Sequence, residues 1–341
     1  MKKPTVHDIA REAGVSLATV DRVLNARPGV RQITVDKVRA AIEALGYIRD
    51  TSAANLARNR AYRFCYVLPE GPSAFVEALR GAIQEADASQ LADRTTVLTR
   101  AVPTHDPHAI VTALRGLSGE DLDGVALMVP ETPQVRDAIA RLKREGLAVV
   151  ALVSDLPNTE RDYFIGIKSI SAGRTAALLM GRFIHGPGQV LVVSNSMRAR
   201  DSLERRLGFD AVLAADFPRL EALPSIEAFD DVARMAAILD AVLAERDGLR
   251  GIYSMESGNA VVLEAMRRCS GTQRLTVIAH ELTPATRQGL VEGTLSAVIT
   301  QNVGHLARSS IRILRNLCDG APIFEPQERI RIEIVLRENL P

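Results

Sequence analysis

The stretch Thr5-Val-His-Asp-Ile-Ala-Arg-Glu-Ala-Gly-Val-Ser-Leu-Ala-Thr-Val-Asp-Arg-Val-Leu-Asn25, continued by Arg27-Pro-Gly-Val30 and a run ending at Gly46-Tyr47, decides how the first sixty residues fold. Thr5 followed three residues later by Asp8 is a capping-box-like start that satisfies orphan amides at a helix N-terminus. Val6, Ile9, Ala10 and Ala13 then share one face at i, i+3, i+4 spacing, and Gly14 permits the left-handed or close-packed backbone of a tight turn. Ser16 restarts the chain as a second N-cap. In the helix after it Val20, Val23 and Leu24 point inward, which leaves Leu17, Ala18, Asp21 and Arg22 outward. A third helix, from about Gln32 to Leu45, buries Val35, Val38, Ile42 and Leu45 and stops at Gly46. The pattern predicts three short helices on one small core, with an outward face on the second that suits a DNA groove.

Charge divides the chain in the same place. Up to Arg60 there are 11 basic residues against 6 acidic ones, or +5. The whole chain has 42 basic and 41 acidic residues, so the other 281 residues hold 31 against 35, or −4. A positive field concentrated on a small helical unit is what a phosphate backbone attracts.

The remaining composition sets bounds. With 341 residues, 47% hydrophobic and 24% charged, the chain has an ordinary globular make-up and enough length for more than one core. No apolar run approaches the roughly 18 residues that a membrane helix requires, and Lys2-Lys3 leads into Pro4-Thr-Val-His-Asp8, not a signal-peptide core. A cytoplasmic protein with no membrane partner is expected. Cys65, Cys269 and Cys318 are far apart and lack metal-ligand spacing, so reduced, mostly buried thiols are expected and no metal or cofactor.

After Tyr62 the pattern alternates between strand and helix, starting with Arg63-Phe-Cys-Tyr-Val-Leu68 and an amphipathic segment near Phe75 to Ala86. Further apolar strand candidates are Thr96–Thr99, Gly124–Val129, Ala148–Val153, Gln189–Val193, Gly251–Tyr253, Leu275–Ala279 and Ala297–Thr300. Alternation of this kind implies parallel sheets, and the count suits two doubly wound lobes. Their ligand cleft is expected between the lobes, outside the strand C-termini. From Thr51 to Arg60 the chain is small, helix-compatible and without a buried face of its own, which reads as a conditionally folding linker.

The head resembles the helix-turn-helix domain of the lactose-repressor (LacI/GalR) family of bacterial transcription regulators. The matching residues are Thr5, Asp8, Ile9, Ala10, Ala13-Gly-Val-Ser16, Thr19-Val20, Arg22-Val-Leu-Asn25, Val30, Thr34, Val38, Ala41, Leu45 and Gly46-Tyr47, followed by the hinge signature Ala53 and Leu56-Ala57. The resemblance implies a DNA-binding set of Thr5, Ser16, Leu17, Ala18, Thr19, Arg22, Asn25, Arg31, Ala53 and Leu56. It also implies a hinge that becomes helical on operator DNA, where Leu56 wedges into the minor groove. The chain departs from the family with Asp21 and Arg31, both at positions of a common Ser, and with Lys168 at the position of a usual Asp.

The body resembles that family's sensor, shared with periplasmic sugar-binding proteins. The resemblance implies ligand contacts at Phe75, Asp155, Arg205, Glu281 and Gln301, and Glu256 and Asn259 in the loop after Tyr253 join that set. An aromatic face, planar acceptors and a bidentate donor together suit a sugar-like effector. The expected organisation is a small all-α helix-turn-helix head at 1–49, a hinge at 50–61, and an α/β body at 62–341. That body comprises two doubly wound parallel-sheet lobes, periplasmic binding protein-like, with crossovers near 154–170, 297–303 and 320–330.

The expected function is a ligand-responsive regulator, a repressor of carbohydrate uptake or catabolism genes that binds palindromic operator DNA as a homodimer. Sensing of a non-carbohydrate small molecule, an architectural DNA-bending role, a periplasmic receptor and an enzyme are the rival classes. The last finds no G-x-G-x-x-G after a strand, no Walker loop and no G-x-S-x-G elbow, and His280-Glu281 lacks the second His of a zinc protease motif. His105 and His108 read as punctuation of a helix start.

Overall fold

A computed structural model describes residues 5–24, 28–45, 61–89, 94–103, 105–229, 231–245, 248–255, 258–268 and 275–341. The chain divides into two compact units, Met1–Arg60 and Ala61–Pro341.

In the first unit, helices α1 (Val6–Ala13), α2 (Leu17–Leu24) and α3 (Gln32–Leu45) enclose a core of Ile9, Val20, Val38 and Ala41. Asp8 fixes the start of α1 by accepting from both the backbone N–H and the hydroxyl of Thr5, at 2.9 and 2.7 Å. Gly14 ends α1 with φ of 64°, where a side chain would strain the backbone. Two details depart from the periodicity. Val6, in the first turn of α1, is 36% exposed, and Ala41 is more deeply buried than Val35 or Ile42. A small side chain at position 41 lets the short helices approach closely.

The second unit contains two sheets. The first runs β2-β1-β3-β4-β5 through β1 (Tyr62–Pro69), β2 (Thr95–Val102), β3 (Gly124–Leu127), β4 (Ala148–Leu152) and β5 (Tyr163–Ile165), all parallel. Burial on both faces explains the near-continuous apolar runs of β1, β3 and β4, while the edge strand β2 keeps polar, exposed positions. The second sheet runs β12-β11-β10-β9-β6-β7 through β6 (Gly188–Ser194), β7 (Leu220–Ala222), β9 (Leu249–Ser254), β10 (Thr276–His280), β11 (Ala297–Thr300) and β12 (Glu333–Val335). A two-residue strand, β8 (Ile226–Glu227), also pairs with β6, and β12 is antiparallel to β11.

The chain passes between the lobes more than once. It leaves β5 for helix Ser169–Phe183 of the second lobe, and after β11 it returns as helix Val303–Asp319, which packs on β3, β4 and β5. That helix is pinned to the first lobe by Tyr66, whose hydroxyl shares a 2.6 Å bond with Ser310, and by Tyr62, which donates to Asp319 at 2.8 Å. It is also tied to the segment leading to β12, because Glu328 accepts from Ser309 and Arg312. Glu328 is buried, and it is satisfied by both partners at once. Among the described residues no helix is long and apolar enough to cross a membrane.

Candidate functional site

In the head, Ser16 caps α2 by accepting from the Thr19 N–H at 3.2 Å and sharing a 2.9 Å bond with the Thr19 hydroxyl. Leu17, 42% exposed, stands with Ala18, Asp21 and Arg22 on the solvent face of α2, while Val20 is fully buried beneath it. Thr5 and Arg31 are exposed at the starts of α1 and α3. Asn25, Ala53 and Leu56 lie outside the described residues.

In the body, a cavity of about 440 Å³ opens where the C-terminal ends of strands from both lobes converge. The first lobe contributes Pro69 at the end of β1 with Glu70 and Gly71 beyond it, Met128 to Glu131 after β3, and Val153 and Ser154 after β4. Phe75, from the first turn of helix Ala74–Ser89, lies half-buried on this wall. The second lobe contributes Asn195 and Ser196 after β6, Arg198, Asp201 and Arg205, and Glu281 after β10. Residues just past the strand ends face a ligand in open α/β sheets.

The charged floor is built on helix Arg200–Asp216. Asp201 and Arg205 are four apart and so share one helix face. The backbone of this helix is held against helix Ser169–Phe183 by two glycines, since a Cβ on Gly173 would strike the Arg205 carbonyl and one on Gly208 would strike that of Ile170. Arg205 is 2% exposed and donates to the Met255 carbonyl. Its guanidinium lies 3.8 Å from Asp201 and 3.6 Å from Glu281.

Glu281 takes the first position after β10 with φ of 67°. Its carboxylate accepts from Gln301 at 3.0 Å and from the Thr300 hydroxyl at 3.4 Å. Burial pushes the Glu281 carboxyl up to about 6, against the opposing pull of Arg205 and Gln301. Next to it, burial holds the His280 imidazole well below the usual histidine range, with Arg205 adding to the effect. His280 therefore stays neutral and shares a 2.8 Å bond with the Tyr253 hydroxyl. It supports the floor and does not line the cavity.

The cavity mouth has its own contact between lobes. The ring of His105, from the first lobe, meets the ring of Phe229, from the second, edge-on at 5.9 Å. Asp106 beside it caps helix Pro107–Arg115 by accepting from the His108 and Ala109 amides, which places both histidines at a helix start.

The structure brings Phe75, Arg205 and Glu281 together on the cavity wall. Gln301 stands one layer behind, holding Glu281. Asp155 is turned to Arg161, which it binds at 2.5 and 2.9 Å, and it does not line the cavity. Asn259 is buried between the Ser254 hydroxyl, which it accepts, and the His280 carbonyl, to which it donates. Its bonds tie β9 to β10, and it does not line the cavity. Glu256 lies outside the described residues. Lys168 is exposed at the N-cap of helix Ser169–Phe183 and makes no side-chain cap bond. Sequence reasoning missed Asp201, Ser196 and Asn195; for Asp201 the usable signal was its i, i+4 spacing to Arg205.

Residues 64–322 match the periplasmic binding protein domain family, and residues 5–50 match the bacterial regulatory proteins of the lacI family. Among curated relatives, catabolite control protein A of Priestia megaterium is 29% identical over 164 residues, covering 47% of this chain and 48% of the relative. The maltose regulon regulatory protein MalI of Vibrio furnissii is 47% identical over 57 residues, covering 17% of this chain and 42% of the relative. The chain thus spans about half the length of the curated relatives it matches. Among solved structures, a glucose-galactose binding protein from Geobacillus stearothermophilus superposes with a TM-score of 0.73 at 17% identity, covering 83% of this chain and 99% of that one. A solute binding protein from Burkholderia graminis in complex with D-arabinose gives 0.73 at 22% identity, covering 82% and 96%. These superpositions show the fold of the body.

Proposed function

The chain belongs to the periplasmic binding protein domain family and carries a lacI-family head, and from that premise we propose that it is a ligand-responsive transcription regulator. It binds a palindromic operator as a homodimer and takes a sugar-like effector in the cleft between the lobes of its body. The observation that carries this reading is the pairing of two features in one chain: an exposed reading face on α2 and a 440 Å³ interlobe cavity with an aromatic wall and a charged floor. Neither feature is needed by the function of the other. Their coexistence calls for a linkage, in which a ligand that prefers one arrangement of the lobes biases the arrangement of the heads.

On DNA, Leu17, Ala18 and Arg22 read base edges, while Thr5, Ser16, Thr19, Asn25 and Arg31 hold phosphates. The hinge residues Ala53 and Leu56 enter the minor groove. Two-fold symmetry of the dimer then appears in the operator as two half-sites. The test is selection of binding sites from random DNA by the full chain. A single roughly palindromic consensus supports the reading, and broad A·T-rich binding would point to an architectural protein. Arg22→Ala weakens specific binding by about 1 to 3 kcal/mol through loss of a base contact. Exchanging Leu17-Ala18 for another pair changes the selected consensus; an unchanged consensus removes α2 as the reader. Leu56→Ala lowers the DNA bend angle in circular-permutation gels while leaving the fold intact.

A further inference from the structure

Resting on the reading of the cleft as a sugar-type effector site, the charge layout of its floor goes further and separates ligands by charge. The two buried carboxylates of Asp201 and Glu281, 9% and 6% exposed, face one buried guanidinium, that of Arg205. Neither carboxylate is within hydrogen-bonding distance of it, at 3.8 and 3.6 Å. Asp201 has no other partner among the described residues, although it is nine-tenths buried and lines the cavity. A buried carboxylate with a single distant counter-charge is costly unless something donates to it. Out at the rim the charges balance: Glu70 and Glu131 stand against Arg198 and against Arg136, which reaches Glu131 from outside the wall at 3.7 Å, so the acidic excess is confined to the floor.

Three helix N-termini at the cavity are capped by side chains of their own. Thr132 accepts from the Val135 amide at 3.2 Å, Asp106 accepts from the amides of His108 and Ala109, and Ser73 accepts from Val76 at 3.4 Å. Helix Arg200–Asp216 carries the Asp201 carboxylate in its own first turn. The end of that helix has no side-chain cap of its own, but the Asp201 carboxylate beside it opposes the binding of an anion there. On the opposite wall Phe75 offers a half-buried ring, a surface that suits C–H groups and cations alike.

We propose that the cleft is selective for a hydroxylated cation, a sugar or polyol bearing one protonated amine, and discriminates against sugar phosphates and sugar acids. The ammonium group sits between Asp201 and Glu281 beside Arg205, and hydroxyls bond to Arg205, Asn195 and Ser196.

The experiment is isothermal titration of the full chain with matched sets built on glucose, galactose and mannose, each as the neutral sugar, the 2-amino sugar and the 6-phosphate. The expected result is that in the set that binds, the amino sugar binds at least ten-fold more tightly than the 6-phosphate, with the neutral sugar between. Raising the salt concentration weakens the amino sugar more than the neutral one. Asp201→Asn, checked for folding by its thermal midpoint, reduces the preference several-fold. Tightest binding by a 6-phosphate, or equal binding of all three forms, overturns this proposal while the sugar-type reading stands. If no form in any set binds, the sugar-type reading itself falls and this proposal with it.

Discussion

The two lobes of the body repeat one backbone device and put opposite chemistry on it. β4 and β10 are each fourth in their sheets, counting from β2 in the first lobe and from β7 in the second. The residue directly after each strand has a left-handed backbone, Val153 at φ of 66° and Glu281 at 67°. Each donates its N–H at 2.8 Å to an isoleucine carbonyl of the next strand, Ile165 in one lobe and Ile299 in the other. Both residues line the cavity. In the first lobe the device presents an isopropyl group among Pro69, Met128, Val129 and Phe75, and in the second it presents a buried carboxylate beside Arg205. A fold can therefore set where a side chain stands without setting what it recognises. Non-glycine residues in this region cost on the order of 1 to 3 kcal/mol and persist where a surrounding structure holds them.

The comparison can be broken most severely at its charged end. Arg205→Ala leaves Asp201 and Glu281 without their cation and destabilises the body by about 3 kcal/mol, measured by urea unfolding. It also abolishes effector response, while the head retains its operator contacts. A response that survives the change removes the floor from the ligand site.

A pH series sharpens the same point. The Glu281 carboxyl titrates near 4.5 when unfolded and at about 6 in the folded chain, so the native state holds an extra proton between those values. Stability is therefore highest below pH 4.5 with respect to this group and falls by about 2 kcal/mol as the pH rises through 6. Glu281→Gln flattens that part of the pH–stability curve, whereas Val153→Ala does not. An unaltered curve in the Gln variant would assign the change to another group.

The apolar end gives the smallest effect. Val150 and Val153 are both buried, but Val150 is in an extended strand and Val153 has a positive φ. Gly relieves strain only at the second position, so Val153→Gly costs about 1 kcal/mol less than Val150→Gly. Equal costs would mean that Val153 is not strained. In the same comparison, Gly173→Val pushes on the Arg205 backbone and lowers ligand affinity before it lowers operator affinity.

Much of this architecture was legible in the chain. The apolar runs of β1, β3, β4, β6, β10 and β11 announce buried parallel strands, and the caps of the head announce its helices. β5, β7 and β8 are three, three and two residues long, too short for any periodicity to register. The site was legible in part. Phe75, Arg205 and Glu281 stand where family resemblance implies a ligand, but resemblance says nothing of the local competition that turns Asp155 toward Arg161 and Asn259 toward His280. A carboxylate with an arginine six residues away pairs locally before it meets a ligand. Asp201 escaped notice because a first-turn aspartate usually serves the helix N-terminus, and only the third dimension shows that it lies against the cavity.

The most direct test of the account is the affinity of the full chain for its selected operator, by fluorescence anisotropy, with and without a saturating amount of the compound that titrates the cleft. Linkage predicts a change of at least five-fold in either direction, lost in Arg205→Ala. Unchanged operator affinity, with the cleft demonstrably occupied, would contradict the claim that this chain couples ligand to DNA.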